Sequence, residues 1–241
     1  MNISNHDCWL NIDKPIGYSS AKVVSIVKKI TGAKKVGHGG TLDPFASGVL
    51  PIALNKATKT SEKLLTAKKK YLFTITFGEF RDSDDIEGMV EEVSDKTTSS
   101  SDLAQILVKF FGKILQTPSK FSAIKINGKR AYDLARSGHE FIMPNREIEI
   151  YEISLVNFNE KSAQIIVECS KGTYVRSLAR SICVELNICG YVSSLQRLRV
   201  GKFLLAKTIS LDELKAKVNN DCIFLDGSML LLHDVLNVET P

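Results

Sequence analysis

The stretch KVGHGGTLDPFASGVLP, residues 35–51, carries three glycines within four positions, then an aspartate fixed before a proline, then an apolar run. Glycines at this density let a backbone bend or approach another group closely. The proline after Asp43 disfavours the helical region for that aspartate and drives it toward an extended conformation. The stretch therefore reads as a stiff loop presenting one carboxylate. Taken alone, Asp43 fits equally a turn residue whose side chain caps local backbone and an acid that does chemistry.

The flanking sequence supplies the scaffold. CWLNIDKP, before the loop, reads as a short strand ended by proline. SSAKVVSIVKKITG has a serine N-cap, apolar residues at 23, 24, 26, 27 and 30, and Gly32 as a stop, which predicts an amphipathic helix. ATKTSEKLLTAKK reads as a second helix, KKYLFTITFG as an alternating strand and SDLAQILVKFFG as a helix with an acid near its start. AIKINGKRAY places Asn-Gly between two strand-like pieces, a strong hairpin signal. Residues 146–169 read as two strands joined around NFNEKSA, YVRSLARSICVELN as a helix, SLQRLRVGKFLLA as a strand and LDELKAKV as a last helix. SDKTTSSSD, 94–102, predicts an exposed loop. No strict strand–helix alternation runs through this order. The expectation is an α+β fold with a mixed, mainly antiparallel central sheet flanked by helices.

Composition fits that fold. The chain has 241 residues, 44% hydrophobic and 24% charged, enough for a sizeable core. No basic start leads into an apolar block, so no secretory signal is read. No apolar run approaches the ~18 residues of a membrane span. Five cysteines, none in a CxxC pair, predict free buried thiols in a reducing cytoplasm. The net charge of +5 is unevenly spread. Residues 1–76 carry twelve lysines against four acids, and 117–207 fourteen bases against eight. Residues 77–116 carry nine acids against four bases, and 208–241 six against two. This predicts a polyanion-binding face made by the basic segments, with the acidic ones turned away.

Several chemistries have no motif here. GHGGTLDP fits neither phosphate-loop pattern. The four histidines are scattered without metal-ligand spacing. A GxSxG nucleophile elbow is absent.

DKPIGYSS, GHGGTLDPFASGVLP, KKKYLFTITFG, QTPSKFSAIKINGKRAYDLARSG, CSKGTYVRSLAR and LQRLRVGKF occur in this order. Together they resemble the TruB family of pseudouridine synthases, from about Ile12 to Phe203. The resemblance implies a pseudouridine-synthase fold and isomerisation of uridine 55 in the T-loop of tRNA, with the base flipped out; the alternatives are a non-catalytic tRNA-binding chaperone of the same fold and a synthase acting on another RNA. It implies Asp43 as the essential aspartate and Tyr71 as the active-site tyrosine that stacks on the base. Tyr174 is then a second tyrosine beside the base, Arg176 the arginine paired with Asp43, and Leu195 an apolar contact to the base. His38 is implied as an RNA contact, and Lys14 and Lys125 as backbone or structural contacts, Lys14 on the substrate side. No cofactor and no metal are implied. The expected partner is the T-arm of tRNA, met by a cytoplasmic monomer. Residues 1–241 are expected to form one catalytic domain with an RNA-gripping insertion within 101–150. Relatives often continue into a PUA-type RNA-binding domain, and none is expected here before Pro241. Departures from the family pattern are Ser119 for a proline, Gln196 for a basic residue and Arg81 for a threonine; none touches the implied catalytic residues.

Overall fold

Seven residues of CWLNIDK alternate so that Cys8, Leu10 and Ile12 face one way and Trp9 the other, and both sets are buried. A strand with two covered faces needs a layer on each side. The computed structural model of the protein, which describes residues 3–122, 124–126, 128–219, 228–231 and 235, supplies both layers. Its elements in chain order are β1 (Cys8–Lys14), α1 (Ser20–Thr31), β2 (Val36–His38), β3 (Ser47–Leu54), α2 (Ser61–Thr66) and β4 (Lys69–Phe77). Then come β5 (Glu79–Arg81), β6 (Val90–Val93), α3 (Ser100–Val108), β7 (Gly112–Gln116), β8 (Lys125–Ile126), β9 (Lys129–Arg130) and α4 (Ala131–Arg136). The chain goes on through β10 (Arg146–Asn159), β11 (Ser162–Cys169), α5 (Val175–Glu185), β12 (Gly190–Val200), β13 (Phe203–Leu204), α6 (Leu211–Asn219) and β14 (Met229–Leu231).

The chain divides into two units. The first comprises residues 1–71 and 195–241, the second 72–194. In the first, the strand order is β14-β1-β3-β12. β1 and β3 are antiparallel, from Trp9 opposite Ala53 to Lys14 opposite Gly48. Leu10, Ile12, Leu50 and Ile52 pack with Val23 and Val27 of α1 and Leu214 of α6. On the other face Trp9, Val49 and Ala53 pack with Leu64 of α2 and with Phe203. α1 is delimited as its sequence predicts. Ser19 Oγ accepts from Lys22 N–H, and Gly32 ends the helix at φ 67°, where a side chain would be strained.

In the second unit the order is β4-β11-β10-β7, and β4 and β12 each have residues in both units. β10 and β11 form a hairpin closed at Asn159 opposite Ser162. β8 and β9 pair as the Asn-Gly signal predicts, although Asn127 itself lies outside the described residues. Cys8, Cys169, Cys183 and Cys189 are buried and free of disulfides, and burial pushes the thiols of Cys8 and Cys183 up to about 12. Cys222, like most of the acidic tail after Asn219, lies outside the described residues.

Four details depart from the sequence reading. Of the expected loop 94–102, Ser100, Ser101 and Asp102 form the first turn of α3, capped by Ser99. The second helix is shorter, a 3-10 turn over Asn55–Thr60 followed by α2. SLQRLRVGKFLLA is two strands, broken at Gly201 with φ 53°. The acidic segment 77–116 does not turn wholly away from the basic one, because Asp84 and Asp85 are buried and ion-paired with Arg180 and Arg176 of α5. An arginine inside a fold needs an anion beside it, and the acidic turn provides it.

Candidate active site

In the first unit the Gly-rich loop bridges β2 and β3, which pair from Val36 opposite Leu54 to His38 opposite Ile52. Its glycines answer specific demands. A Cβ on Gly39 would lie 2.9 Å from Leu64 Cδ1 and 3.2 Å from Trp9 Cζ3. A Cβ on Gly48 would lie 2.4 Å from the Arg197 carbonyl oxygen, and Gly48 has φ 99°. Neither position has room for a side chain.

Asp43, half-buried, stands between two clamped neighbours. The buried Ser20 hydroxyl accepts from Leu42 N–H at 2.9 Å and donates to Leu42 C=O at 3.0 Å. The carbonyl of Pro44 accepts from Gly17 N–H at 2.8 Å and from the Lys14 ammonium at 3.2 Å. Lys14 is fully buried, and it also donates to the carbonyls of Pro15 and Tyr18. Its ammonium thus ties residues 15–18 to the Asp43 loop. Ala46 N–H donates to the Asp43 carbonyl and closes the turn.

Arg197 anchors the loop from below and is 1% exposed. Along β3, β12 pairs at Ser47 and Gly48, whereas β2 pairs from Ile52 onward. Between them the Val49 carbonyl would have no strand to meet. Arg197 Nε donates to it at 2.7 Å, and its two terminal nitrogens donate to Thr41 and Gly40 carbonyls at 3.1 Å each. The guanidinium fork thus spans a gap in the sheet edge and the loop above it. Leu195 lies two residues before it on the same face of β12, buried.

His38 Nδ1 accepts from Gly40 N–H at 3.3 Å. That bond needs an unprotonated Nδ1. Burial first, and the Arg197 charge second, hold the His38 pKa below its ordinary value. The ring is therefore a neutral imidazole whose other nitrogen carries the proton. Tyr71 lies on the buried face of β4 with Lys69, whose ammonium donates to the carbonyls of Leu64, Leu65 and Ala67 and so closes α2 onto the strand.

Tyr174 and Arg176 belong to the second unit. Tyr174 precedes α5, and its backbone is held by the buried Gln116 amide, which accepts from Tyr174 N–H at 2.8 Å and donates to Tyr174 C=O at 3.1 Å. The Arg146 guanidinium lies over the Tyr174 ring, 5.5 Å from its centre. Arg176, buried on α5, donates to the Ser83 and Phe121 carbonyls and pairs with Asp85 Oδ2 at 3.1 Å. Asp85 is itself fixed by Ser83 Oγ–H at 2.6 Å and Glu87 N–H at 3.0 Å. Lys125 is exposed on β8.

Sequence reasoning singled out the presented residues and passed over those that hold them: Ser20, Gln116, Asp85 and Arg197. Ser20 carried a signal, since only one of the two serines in YSSAK can be the cap, leaving the other for a second use. Among the described residues, no three of His, Cys, Asp and Glu gather as a metal site, and no helix is long and apolar enough to cross a membrane.

A family profile, TruB family pseudouridylate synthase (N terminal domain), matches residues 28–175. The chain is 44% identical over 231 residues to the tRNA pseudouridine synthase B of Ehrlichia chaffeensis (strain ATCC CRL-10679 / Arkansas), covering 94% of this chain and 78% of that one. It is 47% identical over 206 residues to the protein of that name in Rickettsia bellii (strain OSU 85-389), covering 85% and 70%. It superposes with a TM-score of 0.74, at 29% identity, on a chain from a crystal structure of a Cbf5-Nop10-Gar1 complex, over 98% of its own length and 62% of that chain. The mixed, mainly antiparallel sheet expected from the sequence is thus a pseudouridine-synthase sheet, and the chain belongs to the TruB family of pseudouridylate synthases.

Proposed function

We propose that this protein isomerises uridine 55 in the T-loop of tRNA to pseudouridine, with Asp43 as the catalytic carboxylate. The observation that carries the reading is the mount of Asp43: a loop held through Leu42, Pro44, Gly40 and Thr41 by side chains from three separate elements. A fixed carboxylate lowers the entropic cost of attack. The reaction breaks the bond from uracil N1 to C1′, turns the base and forms a bond from C5 to C1′; C5 loses a proton and N1 gains one. Nothing is oxidised or hydrolysed, so one carboxylate and a site that retains the free base suffice. Asp43 attacks C1′, attacks C6 of the ring, or removes the 2′ proton to give a glycal, and the rigid mount serves all three routes.

The other residues receive roles consistent with their settings. The uridine leaves its stack, at a cost of a few kcal/mol, and stacking on Tyr71 and Tyr174 at roughly 1–3 kcal/mol per base offsets this. Leu195 contacts the base from its apolar side. Arg176 is assigned as counter-ion to Asp43, keeping the carboxylate ionised beside the base. Neutral His38 holds the extruded loop through its N–H. The basic hairpin β8–β9 with α4, inside 101–150, is assigned to gripping the T-arm. The protein is read as a cytoplasmic monomer that takes no cofactor.

Asp43→Asn tests the assignment. Asparagine keeps the shape and removes both nucleophile and base. The variant is expected to bind a T-arm stem-loop at close to wild-type strength and to form no detectable pseudouridine in a single-turnover incubation read by carbodiimide primer extension. Turnover retained by the variant, or none in the wild type, would refute it.

A further inference from the structure

The β2–β3 ladder has two ends. One carries His38 and the loop of Asp43. At the other, Asn55 N–H donates to the Lys35 carbonyl at 2.7 Å, and a surface pocket of about 340 Å³ opens, lined by Lys34, Lys35, Lys56 and Lys59. The pocket has a built floor. Asn55 takes φ 52°, a left-handed turn, and its side-chain amide donates to the Ser4 and His6 carbonyls at 2.9 Å each. Asp7, the single acid in the lining, accepts from Lys56 N–H at 3.0 Å and lies 3.5 Å from the Lys56 ammonium. It thereby fixes the segment that carries the lysines. Among the described residues no carboxylate pairs with Lys34, Lys35 or Lys59. Lys34, Lys35 and Lys59 are exposed around one concavity, and among the described residues Asp7 is the one acid in its lining, so the local charge favours an anion.

The chemistry of the lining selects the anion. It contains no aromatic side chain, so it has nothing on which a base could stack. Ammonium groups act as point charges toward phosphate. Three strand residues, at ~3.3 Å each, separate Lys35 from His38, a span of about 10 Å. One bound RNA strand can cover that distance. Building on the proposed function, we infer that the Lys34–Lys35–Lys56–Lys59 pocket is a binding site for backbone phosphates of the substrate RNA. It positions the RNA without reading its sequence.

The test is the salt dependence of RNA affinity. The triple variant Lys34→Gln, Lys35→Gln, Lys59→Gln and the wild type are titrated with a T-arm stem-loop between 50 and 200 mM salt. With about 0.9 unit of log–log slope per phosphate contact, the triple variant is expected to lose about 2 to 3 units. Wild-type affinity then falls about 40-fold more than the variant's across that range. Lys34→Gln and Lys59→Gln alone should each lose about one unit, which covers poor folding of the triple variant. Lys161→Gln, an exposed lysine on the β10–β11 turn, should leave the slope unchanged. Equal slopes for wild type and triple variant would overturn the inference. Saturable binding of inorganic phosphate by the wild type, lost in the variant while the RNA slopes stay equal, would do the same by marking a free-phosphate site. Pseudouridine formation by the wild type is scored in parallel. Its absence beside a lowered slope would refute the proposed reaction and leave the RNA site standing; its presence beside equal slopes would do the reverse.

Discussion

Replacing Arg197 by methionine tests whether the Asp43 loop depends on this buried fork. The substitution keeps the volume of the stem and removes three donors. The Val49 and Gly40 carbonyls lose theirs in buried surroundings, whereas Thr41 is exposed and water can replace the lost bond. Each buried carbonyl left without a donor costs about 1–3 kcal/mol. Two of them give about 2–6 kcal/mol, part of which is returned because a guanidinium no longer has to be desolvated. A net loss of about 3 kcal/mol corresponds to a fall in Tm of about 6–12 °C at this chain length. The loop that carries Asp43 loses two of its four ties, and a displacement on the order of 1 Å in a reacting group can cost about 100-fold in rate. Arg197→Lys separates charge from geometry. It keeps the charge, but one ammonium cannot reach the strand edge and the loop as a fork does, so an intermediate loss is expected. Thermal unfolding followed by circular dichroism, and single-turnover pseudouridine formation at 20 °C where all variants are folded, measure the two effects. An Arg197→Met protein with Tm within about 3 °C of wild type and an unchanged single-turnover rate would refute the reasoning.

Asp85→Asn removes one charged partner of the buried Arg176 and should lower stability by about 1.5–3 kcal/mol, read from urea midpoints; an unchanged midpoint would show that Asp85 is not needed to hold Arg176. Gly48→Ala should cost about 3 kcal/mol or more, because its Cβ meets the Arg197 carbonyl at 2.4 Å and φ is 99°; a wild-type melting curve would argue against this tight crossing. Burial holds the folded-state pKa of His38 below 6.5, so in that window the unfolded chain binds a proton that the folded chain does not, and stability rises with pH. This contribution is complete above about pH 6.5 and is lost on acidification, so the drop in Tm from pH 7.5 to pH 5.5 should be smaller in His38→Gln than in wild type; equal drops would exclude the neutral imidazole.

The sequence showed some elements clearly and hid others, for physical reasons. β4 and β10 alternate because one face is buried more than the other, and period two survives in the letters. β3 does not alternate: seven of its eight residues are buried, so SGVLPIAL reads only as an apolar run. β2 is three residues long and half-buried throughout, too short for any period to register. Asn55, at φ 52°, turns the chain after β3 into a 3-10 stretch before α2 can start, which is why one helix was expected where two short turns stand.

The same division runs through the candidate site. Asp43, Tyr71, Tyr174 and Arg176 sit in local motifs, where glycine, proline and strand alternation leave marks a few residues away. Ser20, Gln116 and Arg197 act across 22, 58 and 157 residues of chain respectively. Each of them engages a backbone amide or carbonyl rather than another side chain. Every residue carries those groups, so the partner has no letter of its own, and no pairing of residue types can reveal it. What the sequence does record is the exception on the receiving side: Gly39 and Gly48, where a Cβ would stand in the way of Leu64 and of the Arg197 backbone. The glycines that first marked the loop as presenting a carboxylate are thus equally the imprint of the framework pressed against it from behind. That is why the motif conveys position and chemistry together, while the residues that hold it are visible only once the chain is folded.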